Sequence, residues 1–275
     1  MAEYGQEYFE DIGTSAGVNT LRANTCRLID FALVVLQDGE AHRFETASRE
    51  FGIVVLTGTV DVAVGSRVFS GVGGRSSVFA APPSMVYAPC GAEVTVTASG
   101  DAEVALCSAP SESDLEPYLV GPDDVTRGTW GQHNTTRDYA FTIDATRPSE
   151  RLYVAEVTVS SGNWATYPPH KHEDDAPERG ELFQEEMYYY RVSPATGFGF
   201  CGLYGGKVGS DYAFVVRDRT MLKMPHGYHV VTAAPGYKVW YLALFAGNSK
   251  GAAPQTDPDH AWYHNVETVL GNLRP

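Results

Sequence analysis

No stretch of this sequence is long and apolar enough to cross a membrane as a helix, which takes about 20 consecutive apolar residues. Met1 to Gly17 is polar and acidic and lacks the basic-then-apolar order of a secretory leader. These absences lead to the expectation of a cytoplasmic protein that does not engage membranes. Cysteine is scarce. Cys26, Cys90, Cys107 and Cys201 include no CxxC pair, so a zinc ribbon or dithiol redox motif is not expected, and reduced, mostly buried thiols are. Positive charge is also in short supply: Lys plus Arg number 20 against 34 Asp plus Glu, a net −14. A chain this acidic should repel nucleic acid and anionic membrane surfaces. A small anionic substrate stays open, because a few cations inside a pocket can outweigh the global field.

Helical periodicity is nearly absent too. What replaces it is short alternation of apolar and polar residues, punctuated by Gly, Pro, Asp and Asn. Phe31 to Leu36 and Ile53 to Leu56 are such runs; Thr59 to Val64 and Glu93 to Thr97 alternate with period two. Asp38-Gly39, Thr57-Gly58 and Ser99-Gly100 mark turns. Many short strands at regular spacing predict an all-β sandwich or barrel. Ser111 to Thr136 is polar and reads as a linker holding at most a short helical piece, and strands resume at Tyr139 to Ile143 and Leu152 to Val159. The halves are faintly alike, which predicts two copies of one β-domain, residues 1–125 and 126–275. Aligning Pro83 with Pro225 puts Tyr87 where His229 stands, so the first copy is expected to lack that histidine.

The chemistry concentrates in the second half. Pro168-Pro169-His170-Lys171-His172 places two imidazoles at i and i+2, on one face of a strand, with the prolines marking the strand's start. In Glu186-Met187-Tyr188-Tyr189-Tyr190, alternation puts Glu186, Tyr188 and Tyr190 on one face. Pro225-His226-Gly227-Tyr228-His229 supplies a turn and a third imidazole. Three imidazoles and a carboxylate, His170, His172, Glu186 and His229, suit zinc, manganese, iron or nickel better than magnesium or calcium. His42, His133, His260 and His264 have no partners at ligand spacing, and Glu173-Asp174-Asp175 reads as a solvated loop.

HxH with a following Glu, then PxGxH, matches the two cupin motifs. The flanking residues resemble one cupin family. Gly162 to His172 is similar to the signature of 5-deoxy-glucuronate isomerases of myo-inositol catabolism, relatives of the 4-deoxy-5-ketouronate isomerases. Gly74 to Phe79, Glu185 to Tyr189, Pro225 to His229, Ala234 to Tyr237 and Asp257 to Trp262 resemble it as well. The resemblance runs from about Phe31 to Trp262. It implies a bicupin, two tandem β-barrels with the metal in the second, and isomerisation of 5-deoxy-D-glucuronate to 2-deoxy-5-keto-D-gluconate. It also implies a divalent metal, zinc first, on His170, His172, Glu186 and His229. The chain departs from the family's pattern at Glu173, where Asp usually follows HKH, and at Cys201-Gly202, where Gln-Arg is usual.

For proton transfer, Glu185, Glu173, Tyr188 and Tyr190 are within the motif. For the sugar's carboxylate, Arg217 is the first choice among Arg191, Arg217, Arg219 and Lys223; Lys171 points away on an ideal strand. The first barrel has no HxH and no PxGxH, so a structural role is expected, and an extended β-edge in each half is compatible with a homo-oligomer. Rival readings are an isomerase of a related uronate, a cupin dioxygenase using iron with the same ligands, and a non-catalytic sugar-binding cupin.

Overall fold

The computed structural model describes residues 5–272; the outermost ends of the two expected domains, residues 1–4 and 273–275, lie outside the described residues. The all-β expectation holds. Among the described residues the chain forms antiparallel strands, three single-turn 3-10 segments and one α-helix, Tyr263–Asn272. No helix among them is long and apolar enough to cross a membrane.

In the first half, the strand Arg49–Val64 is the spine. Its early residues pair with Ala102–Pro110 and Ser84–Ala88, and its later ones with Arg67–Arg75 and Glu93–Ala98. One strand serves both sets because its register shifts between Val55 and Thr59. Gly58 stands there at φ +79, where a Cβ would meet the Asp101 carbonyl oxygen at 2.3 Å, so only glycine lets the strand turn the barrel's corner.

The second half builds a seven-stranded and a five-stranded sheet. The first runs Phe9–Asp11, Thr220–Met224, Gln184–Ser193, Lys238–Gly247, Tyr153–Val159, Arg137–Ile143, Thr126–Trp130. The second runs Tyr212–Val216, Gly199–Tyr204, Tyr228–Ala233, Trp164–Lys171, Gln255–Thr256. The expected linker holds two short strands. Tyr118–Val120 pairs with Ser84–Ala88, Thr126–Trp130 pairs with Arg137–Ile143, and only His133–Thr135 is helical. Phe9–Asp11, at the chain's start, adds an edge strand to the second half, with Phe9 opposite Leu222.

Period-two alternation divides the apolar side chains between three clusters. Ile53 and Val55 fill the first barrel, while Val54 and Leu56 of the same strand face the seam between the barrels. Tyr241 and Ala243 fill the second barrel, while Trp240, Leu242 and Leu244 face that seam. Carboxylates reinforce the seam. Glu156 takes a bidentate pair from Arg75 (2.9 and 2.5 Å) and a bond from the Trp240 indole N–H. Glu50 accepts the backbone N–H groups of Glu150, Arg151 and Leu152 and the Tyr87 hydroxyl.

The sheet pairings correct the internal alignment. Ser84–Ala88 pairs with the first barrel's spine as Thr220–Met224 pairs with Gln184–Ser193, so Tyr87 is not the counterpart of His229. Val94, second residue of Glu93–Ala98, takes the inward position that His229 takes as second residue of Tyr228–Ala233. The buried residues of the first barrel's interior cluster are aliphatic.

Candidate metal centre and its cavity

Trp164–Lys171 carries His170 and leads directly into His172, and its prolines sit inside the strand rather than at its start. Trp164 and Ala165 pair with Thr232 and Val231, and pairing resumes only at His170, which lies directly opposite His229. Thr166 to Pro169 form the intervening bulge, with Thr166 at φ +53. Two prolines lack the ladder N–H groups that a regular strand would need. A bulge re-aims the strand and turns these residues toward the cavity beside the histidines.

His170, His172 and His229 present ring nitrogens that all lie within 4.8 Å of one another, an arrangement that can hold a metal ion. The Glu186 Oε2 atom lies 3.0 Å from His172 Nε2 and 3.2 Å from His229 Nε2. His172 Nδ1 lies 2.6 Å from the Gln184 carbonyl oxygen, which turns Nε2 inward, the kind of outer partner that orients ligand histidines. His229 is fully buried, and its Nε2 makes no hydrogen bond. An orphaned buried ring nitrogen costs free energy unless it has a ligand, so the donor set fits a metal ion.

The electrostatics agree. Burial, then the neighbouring imidazoles, push His170 down to about 3. Burial also opposes charge on Glu186, but the hydrogen bond with His172 and the adjoining His229 imidazole outweigh it and hold the carboxyl well below its usual range. Burial opposes the His172 imidazolium, yet the bond to Glu186 raises its pKa.

Glu186, Tyr188 and Gln184 share the inward face of Gln184–Ser193, as alternation predicts. They line a cavity of about 510 Å³ together with His170 and His172. Glu185 points the other way. Its carboxylate accepts the backbone N–H groups of Arg27 and Leu28 at 2.6–3.0 Å. Tyr190 is buried deeper, among the second barrel's core residues, and does not line the cavity. Arg217 lies exposed at the turn after Tyr212–Val216, where its carbonyl receives the Thr220 hydroxyl, away from the cavity. Arg191 pairs with Glu103 and Asp218, Arg219 with Glu103, and Lys223 with Glu10.

The acidic loop is solvated only in part, with Asp175 exposed and Glu173 withdrawn from solvent. Glu173 is buried; one oxygen takes Lys171 Nζ at 2.6 Å, and the other takes the backbone N–H groups of Lys207 at 2.9 Å and Gly227 at 3.1 Å. It ties the residue between two of the histidines to the turn before the third. Glu181, fully buried, accepts the N–H groups of Glu173 and Asp174. Sequence reasoning also passed over His264. With Glu267 it lies on the C-terminal helix, lines the cavity, and sits 3.2 Å from the Thr256 hydroxyl. Arg137 and Trp130 were missed as well, because each sits in a strand that looks ordinary in isolation.

Comparison with known proteins gives a consistent result. The KduI/IolB family profile matches residues 12–263. The chain is 37% identical over 239 residues to the 5-deoxy-glucuronate isomerase of Shouchella clausii (strain KSM-K16), covering 86% of this chain and 88% of that one. It is 35% identical over 237 residues to the enzyme of that name from Bacillus subtilis (strain 168), covering 85% and 87%. An IolB-like protein of Salmonella typhimurium LT2 superposes with a TM-score of 0.87 at 28% identity, over 94% of this chain and 99% of that one. Oxalate decarboxylase of Bacillus subtilis matches at 0.63 and 13% identity, over 98% and 86%, which shows the shared bicupin fold alone.

Proposed function

We propose, from the premise that the chain belongs to the KduI/IolB family, that it is an aldose–ketose isomerase converting 5-deoxy-D-glucuronate to 2-deoxy-5-keto-D-gluconate. The relatives' shared name supplies the substrate. The observation that carries the site is the inward group of His170, His172 and His229 with Glu186, centred on a buried His229 Nε2 that has no hydrogen bond. These four residues would hold a divalent ion, zinc by the donor set. When bound, the ion supplies Lewis acidity to the carbonyl and hydroxyl oxygens of an open-chain sugar.

The chain's own residues do the rest. Glu186 stays ionised and balances the charge of the centre. Burial first, and then the Glu186 carboxylate, push the Tyr188 phenol well above its ordinary value. Tyr188 Oη therefore keeps its proton at neutral pH and acts as a hydrogen-bond donor toward a substrate oxygen. Trp130, Phe141, Tyr167 and Phe245 give the cavity apolar walls, which limit water and strengthen polar contacts inside. A volume of about 510 Å³ is within the ~300–1,000 Å³ typical of small-ligand sites. Four free thiols, three of them buried, support a reducing, cytoplasmic setting, and inositol catabolism is the pathway that uses this conversion.

The test is direct. Zinc-loaded protein is mixed with 5-deoxy-D-glucuronate, and NMR follows loss of the aldehyde and growth of the ketone, with His170→Ala as control. Turnover that disappears in the variant is expected. No turnover by metal-loaded wild type would remove the substrate assignment, and oxygen uptake by the iron-loaded protein would replace it with a dioxygenase.

A further inference from the structure

We propose that Arg137 receives the carboxylate of the sugar acid and sets the cavity's preference for acids over neutral sugars; this rests on the isomerase reading above. Arg137 opens the strand Arg137–Ile143 and lines the same cavity as His170, His172 and Glu186. Its guanidinium is held in place. Nη1 donates to the Thr135 carbonyl at 3.0 Å, and the guanidinium carbon sits 5.6 Å from the Trp130 ring centroid. Gly131 leaves the space for it: a Cβ there would meet Thr135 O at 2.1 Å and Arg137 Nη1 at 2.6 Å.

The charge held this way has no carboxylate partner. Among the described residues no ion pair involves Arg137, and Thr135 O is the acceptor it reaches. Arg75, Arg191, Arg219, Lys171 and Lys223 each pair with a carboxylate. Glu267 of the C-terminal helix shares the cavity wall and acts on Arg137 only through space, as do the phenols of Tyr188, Tyr241 and Tyr263. A half-buried guanidinium on a mostly apolar wall is unfavourable unless an anion completes it. Its planar fork matches a carboxylate with two parallel bonds. The substrate offers one at C6, the end remote from the C1 and C2 atoms that react, so Arg137 fixes which end of the sugar meets the imidazoles.

The experiment compares wild type, Arg137→Lys and Arg137→Met, all zinc-loaded, by steady-state kinetics on 5-deoxy-D-glucuronate, by calorimetric binding of the inert acid D-gluconate, and by zinc content. Expected for Arg137→Met is a KM raised about 10- to 100-fold, as for loss of a charge-assisted pair, with kcat changed far less. D-gluconate binding should weaken by a similar factor, zinc content should stay at one equivalent, and Arg137→Lys should fall between. Unchanged KM and unchanged D-gluconate binding would overturn the proposal and leave the isomerase reading standing. Loss of zinc together with an equal fall in kcat in both variants would also overturn it, by assigning Arg137 a structural role. Wild type that binds D-gluconate through Arg137 but does not turn over 5-deoxy-D-glucuronate would support the carboxylate site and remove the isomerase reading.

Discussion

Replacing Glu173 by Gln tests whether the loop behind the histidines positions them. The change keeps shape and removes charge. Glu173 Oε2 holds the N–H groups of Lys207 and Gly227, and Oε1 holds Lys171 Nζ at 2.6 Å. An amide keeps one acceptor, which can serve the two backbone donors, but its NH2 then faces an ammonium. Breaking a buried pair by removing one partner costs about 3–5 kcal/mol. Here Glu181 and Asp174 remain 3.6 and 3.7 Å from Lys171 Nζ, which reduces the cost to about 2 kcal/mol, that of a single charge-assisted bond. The consequence for metal is separate. Lys171 lies between His170 and His172, and Gly227 lies two residues before His229, so releasing both lets the imidazoles drift apart. Outer partners of this kind are worth about 10–100-fold in metal affinity. Chelator competition on the purified variant should show zinc affinity lowered within that range, alongside a lower melting temperature. A lower melting temperature with zinc affinity unchanged would refute the reasoning and leave Glu173 as a loop staple only.

Four other outcomes are expected. Removing metal with a chelator should abolish turnover, zinc should restore it, and zinc at 100 times its Kd should stabilise the wild type by about 2.7 kcal/mol, a gain absent in His229→Ala in calorimetry. Gly227→Ala should destabilise by about 2 kcal/mol or more, read by denaturant unfolding, because Gly227 stands at φ +95 and a Cβ would lie 2.4 Å from Val208 Cγ2. Tyr188→Phe should lower kcat/KM about 10-fold, the worth of one hydrogen bond, with the melting curve nearly unchanged. Burial opposes ionisation of Glu10, but bonds from Lys223 and the Arg22 N–H outweigh it and lower its pKa. Its contribution to stability is therefore full above the ordinary carboxylate range and lost as pH falls through the lowered value. Glu10→Gln should be less stable at neutral pH and show a flatter fall in stability between about pH 5 and 3.

The grouping of His170, His172 and His229 beside Glu186 was legible because its geometry is local. HxH on a strand, an acidic residue at the head of an alternating strand and a PxG turn each fix direction within a few residues, and alternation alone separated Glu186 and Tyr188 from Met187 and Tyr189. The all-β class came from the same period. What escaped depends on distant pairings. Glu185 looks as reactive as Glu186 until its carboxylate is found on the backbone of Arg27 and Leu28. Arg217 stands one residue past a strand, and only the turn back to Thr220 removes it from the cavity. Arg137 is brought to the histidines by a sheet edge and by a glycine that clears its path, neither of which has a local signature. The mistaken match of Tyr87 with His229 followed the prolines, whereas sheet order follows backbone pairing.

The edge strand Phe9–Asp11 gives this chain an order of assembly. It is made well before its partner: its place beside Thr220–Met224 exists only after more than two hundred further residues have been made. Until then Glu10 has no Lys223 to meet, and when Lys223 is finally buried its ammonium finds Glu10 at 2.5 Å and the Ala23 carbonyl at 2.6 Å. The barrel that carries the histidines is thus edged by a segment made long before the rest of it, early and late parts of the chain meeting in one sheet. A change to Phe9–Asp11, or a cut between the halves, acts on the barrel that carries the histidines rather than on the barrel next to this strand in sequence.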